Sequence, residues 1–283
     1  MQQLKEGYVQ SIISVPEPLR EPLIALLAEI GYEAFEEVSS GVKAYIPEHS
    51  WQEEEFVAQL AILPGGPFQV EHGQLEPKNW NEEWENNYPS VYIDDFCQIV
   101  PSFREVESGY VHSLKIDPKM SFGTGHHETT RLMIRQMKEL DLTNRIVLDM
   151  GCGTAILGIL AAKLGAKEVL GIDIDPWSFD NGQENIRLNQ THQVQLALGD
   201  VSAIPPKTFD YILANINRNV LLADIPAYAQ HLAPNGTLVL SGFFLSDATA
   251  IETCCRDVGM IPVRHLEEKE WLSILCKTKT IEP

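Results

Sequence analysis

The stretch Arg145–Gly158, R-I-V-L-D-M-G-C-G-T-A-I-L-G, leaves few ways to fold. Ile146 to Leu148 is a short apolar run that ends at Asp149 and passes at once into Gly151 and Gly153. From Ala155 to Leu164 apolar residues then recur at helical spacing. Strand, glycine turn and helix in that order open a Rossmann-like parallel sheet. The glycines let the backbone come close to a ligand, and the free amides at the helix start face it. Gly151 and Gly153 are therefore candidate ligand-binding residues.

The usual dinucleotide fingerprint is G-x-G-x-x-G. Here its third position is Ile156, and the next glycine, Gly158, comes two residues late, which counts against a nicotinamide cofactor. Asp173 lies twenty residues beyond Gly153, at the end of the apolar run Val169 to Ile172, where a carboxylate accepts hydrogen bonds from ribose hydroxyls. Dinucleotide enzymes share that device. The discriminating features are D-M-G-C-G-T followed by G-I-D-I-D-P, then Gly199-Asp200, then L-A-N-I-N at Leu213 to Asn217. Together they resemble a class I S-adenosylmethionine-dependent methyltransferase, which implies S-adenosylmethionine as cofactor. Asp200 has two readings, acceptor for an exocyclic adenine amine and helix cap.

Forty acidic against 21 basic residues give a net charge of −19, which repels phosphate backbones at long range and favours a basic partner. No direct nucleic acid preference is expected. The five cysteines form no C-x-x-C pair and include the adjacent Cys254 and Cys255, which suits reduced, mostly buried thiols. Met-Gln-Gln-Leu-Lys-Glu lacks the apolar core of a signal peptide, and no apolar stretch approaches the roughly 18 residues of a membrane span. A cytoplasmic protein without membrane contact is the expectation.

Residues 1–76 form the first expected domain. Tyr8 to Val15 alternates like a strand, and Leu19, Leu23, Leu26, Leu27 and Ile30 mark one face of a helix that Gly31 stops. Ala34 to Val38 and Val42 to Ile46 make a hairpin around Ser39-Ser40-Gly41. Ser50 with Glu53 suggests a capping box for a second helix that buries Phe56, Val57, Leu60 and Ala61. Phe68 to Leu75 is the last strand. This order is that of a smaller, α+β ferredoxin-like domain. It carries thirteen glutamates against Lys5, Arg20 and Lys43, a charge of −10, and no catalytic motif, so it reads as a docking module or as a solvated helical surface.

Residues 77–92 are a connector in which Trp80, Trp84 and Tyr88 fall at helical spacing, and residues 93–283 are the expected catalytic domain. Val91 to Pro101 and Gly109 to Ile116 suggest a hairpin leading into it. The loop S-F-G-T-G-H-H-E-T-T follows, with Thr129 or Thr130 near the start of a helix carrying Met133, Met137 and Leu140. Phe122, Thr124 and Thr130 are the candidates here for holding the amino acid end of the cofactor. His126 and His127 are adjacent and have no supporting His or Cys spacing, so no metal is expected. Strands at Gln193 to Leu198, Phe209 to Ala214, Thr237 to Ser241, Pro262 to Leu266 and Trp271 to Cys276, with a helix from Asp247 to Val258, complete a seven-stranded Rossmann-like sheet.

Phe209 to Ala214 delivers Asn215 to the open end of that sheet, where ligands bind. Methyl transfer from a sulfonium asks the protein to position a neutral nucleophile in line, and alignment supplies roughly 7 to 11 kcal/mol. The Asn215 amide oxygen and the Ile216 carbonyl are the candidate catalytic groups, accepting N–H bonds from an amine. Many enzymes that methylate planar nitrogens have N-P-P-Y or D-P-P-Y here; N-I-N-R, Asn215 to Arg218, lacks the stacking aromatic and suits an aliphatic amine.

F-G-T-G-H-H-E-T-T, G-C-G-T with G-I-D-I-D-P, the A-N-I turn and an acidic W-x-x-x-W segment together resemble the bacterial ribosomal protein L-eleven methyltransferases over almost the whole chain. The resemblance implies methylation of lysine ε-amines and the N-terminal α-amine of that ribosomal protein, free or on the large subunit, up to trimethylation. It also implies docking by the N-terminal domain, and cofactor contacts from Thr130, Gly151, Asp173 and Asn215. The alternatives are another basic protein, RNA or a small amine as substrate, and a non-catalytic cofactor-binding adaptor.

Overall fold

Alternation sets the first strand: in β1 (Tyr8–Ser14) the side chains of Val9, Ser11 and Ile13 are buried on one face. The computed structural model describes residues 7–75, 88–117, 119 and 121–278. The chain divides into two compact units, residues 1–87 and 88–283. Trp80 and Trp84 lie outside the described residues.

In the first unit, α1 (Arg20–Glu29) follows β1. Next come β2 (Ala34–Val38), β3 (Gly41–Pro47), α2 (Glu53–Leu60) and β4 (Gln69–Leu75). The sheet order is β2-β3-β1-β4 with antiparallel pairing throughout, as in a ferredoxin-like fold. Leu23 and Leu27 of α1 and Phe56 of α2 fill its core with Ile13, Val42 and Ile46. Two local expectations fail. Ser50 ends a short 3-10 turn, and α2 starts after Gln52 without a side-chain cap, because the chain at Trp51 is still extended. Val57 and Ala61 are exposed, and on a helix this short only Phe56, buried, and Leu60, half-buried, reach the core.

In the second unit, β5 (Val91–Ile93) and β6 (Cys97–Val100) form a tight hairpin, but β7 (His112–Lys115) runs parallel to β6. The expected two-strand hairpin is therefore replaced by a crossover. Gln98, fully buried, braces this crossover: its amide accepts from the Glu107 backbone N–H at 2.9 Å and donates to the Ser113 hydroxyl at 3.0 Å, tying the intervening segment and β7 to β6.

Then come α3 (Glu128–Lys138), β8 (Ile146–Met150), α4 (Ile156–Lys163), β9 (Glu168–Asp173), α5 (Pro176–Asn189), β10 (Val194–Leu198) and β11 (Phe209–Asn215). They are followed by α6 (Arg218–His231), β12 (Leu232–Phe244), α7 (Ala248–Asp257), β13 (Met260–Glu268) and β14 (Trp271–Thr278). The seven strands order as β10-β9-β8-β11-β12-β14-β13, with β14 antiparallel to its neighbours and the first five strands parallel. Successive strands step outward from β8 on one side and from β11 on the other, so the crevice between these two opens at their carboxyl ends. One core packs Met133, Met137, Ile159 and Leu160 against one face of the sheet. Leu221, Ile225, Tyr228 and Ile251 cover the other. No helix among the described residues is long and apolar enough to cross a membrane.

Phe56 anchors the first unit, packing on Trp51 at 5.2 Å and on His72 at 4.9 Å between ring centroids. Phe56→Ala is expected to destabilise that unit by about 3–5 kcal/mol, read as a lowered denaturant midpoint in its unfolding transition.

Candidate functional site

The turn after β8 is shaped by steric exclusion. Gly151 and Gly153 hold φ of +64° and +52°, and Ala155 shares the left-handed region at +63°. A Cβ on Gly151 would lie 2.2 Å from Cγ2 of Ile216, and one on Gly153 2.3 Å from the Phe122 carbonyl oxygen. Gly153 thus lets two segments of backbone meet, and Gly151 lets the Ile216 side chain pack on the turn.

Two carboxylates hold the turn. Asp173, at the end of β9, accepts from Gly153 N–H at 2.8 Å through Oδ2 and from Asp175 N–H at 3.0 Å through Oδ1. Each oxygen keeps an acceptor site, which matches a vicinal diol. Asp149 is buried at the end of β8, and its Oδ2 accepts from Gly158 N–H at 2.9 Å, supplying the side-chain cap that α4 lacks. The late glycine of the motif thereby finds its reason, for Gly158 leaves room for that carboxylate at 3.3 Å from its would-be Cβ. Burial raises the Asp149 pKa to about 7, the Gly158 bond opposes this, and the Asp173 charge adds to it.

The loop before α3 lies on this turn. Thr154 donates its N–H to the Phe122 carbonyl at 2.9 Å and its hydroxyl to the Gly123 carbonyl at 2.6 Å. From behind, the buried Asn185 of α5 donates to the Thr154 carbonyl at 3.1 Å and accepts from Asp117 N–H at 3.0 Å. Asn189, one turn on, exchanges bonds with the Lys115 backbone at 2.9 and 2.6 Å. The loop is thus fastened to the glycine turn at its entrance and at Phe122–Gly123.

At the end of β11, Asn215 donates through Nδ2 to Oγ1 of Thr130 at 3.5 Å, while its Oδ1 is buried with no partner among the described residues. An unpaired buried acceptor costs about 1–3 kcal/mol and marks a site that expects a donor. Ile216 takes its N–H to Ser241 O at 3.2 Å, and its carbonyl oxygen sits 2.3 Å from where a Cβ on Gly242 would be. Gly242, at φ +97°, is required for that approach.

These strand ends line a cavity of about 470 Å³. Phe122, Gly151, Gly153, Asp173, Asp200, Asn215 and Ile216 all contribute to its wall. Thr130 and Thr124 do not: Thr130 is fully buried behind Asn215, and the Thr124 hydroxyl is within 3.2 Å of His126 Nδ1. Asp200 caps a 3-10 turn, accepting from Ser202 N–H at 2.9 Å and its hydroxyl at 2.6 Å. Both bonds fall on Oδ1, so capping leaves Oδ2 available to the cavity. Gly242, Asp224, His127 and Trp271 also line it and were not expected. Gly242 was findable as the residue after Ser241, which pairs with Asn215; Asp224 and Trp271 carry no local signal.

The cavity has two characters. At one end stand Asp173, Asp200 and Asp224, and among the described lining residues none is Lys or Arg. Burial raises the Asp224 pKa and the charge of Asp200 adds to it, while the hydroxyl of Tyr228 donates to it at 3.3 Å and opposes the rise. At the other end Phe122, His127 and Trp271 form an aromatic wall, with His127 5.4 Å from Phe122 and 4.7 Å from Trp271 between centroids. Phe244 stacks behind Trp271 at 4.2 Å.

Neighbours set both imidazole tautomers. His126 Nε2 faces the Pro89 carbonyl at 3.2 Å and must donate, so Nδ1 accepts from the Tyr88 and Thr124 hydroxyls. His127 caps α3, its Nδ1 accepting from Thr129 N–H at 3.2 Å.

A family model described as Ribosomal protein L11 methyltransferase matches residues 23–279. A Ribosomal protein L11 methyltransferase of Phocaeicola vulgatus is 41% identical over 262 residues, 91% of this chain and 93% of its own. One from Chlorobaculum tepidum is 35% identical over 283 residues, 96% and 97% of the two chains. The crystal structure of a ribosomal protein L11 methylase from Lactobacillus delbrueckii subsp. bulgaricus matches with a TM-score of 0.63 at 29% identity, covering 68% of this chain and all of that one.

Because glycine is obligatory where Phe122 O meets the turn, Gly153→Ala is expected to weaken cofactor binding at least tenfold, measured by calorimetric titration. Asp149 supplies a second test. Its raised pKa means that the native state holds a proton that the unfolded chain releases above about pH 4, so stability falls as pH rises from about 4 to about 7. Asp149→Asn is expected to remove this part of the slope in denaturation curves recorded across that range.

Proposed function

Because the chain belongs to the ribosomal protein L11 methyltransferase family and is an S-adenosylmethionine-dependent protein methyltransferase of that class, we propose that Asn215 is its catalytic centre and that its acceptors are aliphatic amines. These are lysine ε-amines and the N-terminal α-amine of ribosomal protein L11, carried up to trimethylation. The observation that carries this reading is the buried, unpartnered Oδ1 of Asn215 at the open end of the sheet.

The lining fits S-adenosylmethionine. Gly151 and Gly153 line the cavity at a turn that no Cβ could enter without striking Ile216 or Phe122, Asp173 retains acceptor capacity for ribose hydroxyls, and Asp200 Oδ2 suits the adenine amine. Phe122 closes over the turn through Thr154. Thr130 serves the site by orienting the Asn215 amide, and Thr124 by bonding His126 in the same loop. When bound, the cofactor supplies a methyl group on a cationic sulfur.

The chain's own residues do the rest. An amine entering past Phe122, His127 and Trp271 leaves water for an aromatic wall, which favours its neutral form over the usual pKa near 10.4. The wall's π faces still attract the protonated amine during approach. Asn215 Oδ1 accepts one N–H, and the Ile216 carbonyl, held by Gly242, accepts another. In the first transfer, with both N–H bonds engaged, the lone pair is aimed, and alignment supplies several kcal/mol of the barrier.

Docking falls to the acidic N-terminal unit. Its charge of −10 over residues 1–76 complements a basic protein, and Glu53, Glu54 and Glu55 stand exposed in the first turn of α2. The protein acts in the cytoplasm, on L11 free or on the large subunit.

The test is mass spectrometry of purified ribosomal protein L11 incubated with this protein and S-adenosylmethionine. Gains in steps of about 14 Da on lysines or the N-terminus are expected, slowed roughly a hundredfold by Asn215→Ala. Intact cofactor binding with no gain would overturn the assignment of substrate.

A further inference from the structure

Outside the catalytic strand ends, a charged cluster joins α3 to the β13–β14 turn. Glu268, the last residue of β13, accepts through Oε1 from Nε and Nη2 of Arg131 at 2.9 and 2.5 Å and through Oε2 from Nη1 of Arg135 at 2.7 Å. Arg131 also donates through Nη1 to the His126 carbonyl, and its Nη2 lies 3.3 Å from Glu128 Oε1. Lys269 donates to that same Glu128 oxygen, and Arg135 Nε is 3.5 Å from Asp94 Oδ1. The Arg131 side chain is 16% exposed and that of Glu268 23%, so water screens this pairing less than it would a surface pair.

Its position gives the cluster a consequence. Arg131 lies one helical turn after His127, which caps α3 and lines the cavity. Glu268 lies just before Lys269 and Glu270, the turn residues whose left-handed Lys269 (φ +56°) delivers Trp271 to the same cavity. His127 and Trp271 meet edge to face at 4.7 Å, and neither ring bonds the other through a polar atom. A dispersion contact of that kind is soft, whereas the two Arg131 N–H groups that converge on Glu268 Oε1 make a charge-assisted, directional contact.

We infer that Arg131 and Glu268 are positioning residues for methyl transfer, holding the Trp271 side of the aromatic wall at a set distance from His127 so that the acceptor amine meets Asn215 in line. Neither touches the cavity; both act through the rings they hold. This assignment rests on the proposed acceptor site. The glycine turn, Asp173 and Asp200 lie on other strands, so the nucleoside end does not depend on this pairing.

The experiment compares wild type with Glu268→Ala and Glu268→Gln, titrating ribosomal protein L11 at saturating S-adenosylmethionine. Cofactor Kd is measured separately by calorimetry. Glu268→Ala is expected to lower kcat/KM for the acceptor roughly tenfold to a hundredfold, with cofactor Kd within about twofold of wild type. Glu268→Gln, which keeps an acceptor oxygen for Arg131, should recover part of the loss. The inference is overturned if acceptor kcat/KM stays within about twofold in Glu268→Ala, or if cofactor affinity falls in parallel, which would make the cluster a general brace. A wild-type protein that leaves L11 unmodified would strike the functional reading instead.

Discussion

Close contact that leaves no room for a Cβ governs this site. Phe122 O against Gly153 and the Ile216 carbonyl against Gly242 are backbone contacts, and the Ile216 side chain against Gly151 is a third, from four separate places in the chain. Hydrogen bonds then lock what the glycines permit, above all the two that Thr154 donates to Phe122 and Gly123. A loop, a turn and two strand ends become one surface. The cavity owes its shape to that convergence more than to any single side chain.

Charge and aromatic character are divided along the cavity. Carboxylates gather at one end, with no cation among the described lining residues, and rings at the other, a division that suits the proposed binding of a cationic cofactor and a desolvated amine. Asp149 belongs to neither end. Buried behind the turn, it caps α4 across the sheet and is held largely protonated at mildly acidic pH. It stabilises the turn at the cost of a pH-dependent native state.

Asparagine does much of the unseen fastening. Asn185 and Asn189 sit at i, i+4 on α5 and exchange bonds with the Lys115–Asp117 backbone, while Asn185 also reaches Thr154. An amide can donate and accept at once, so one side chain bridges two segments that have no ladder between them. The same property lets Gln98 brace the parallel crossover between β6 and β7.

Local sequence determined the parts governed by local physics. The β8 strand, its glycine turn and α4, the acidic end of β9, Asn215 at the end of β11 and the ferredoxin-like order of the first unit all followed from periodicity and turn residues. The family was legible by a different route, the resemblance carried by the contiguous motifs F-G-T-G-H-H-E-T-T and G-I-D-I-D-P. Tertiary structure alone decided which candidates face the cavity. Thr130 and Thr124 fall behind its wall, whereas Asp224, Gly242 and Trp271 enter it from elements far along the chain. The direction of β7, the start of α2 and the late glycine at position 158 were equally out of reach. Each depends on a side-chain contact made only when the chain folds back, Gln98 with Glu107, Phe56 with its sheet, Gly158 with Asp149, and periodicity records which face is apolar but not which polar groups will meet.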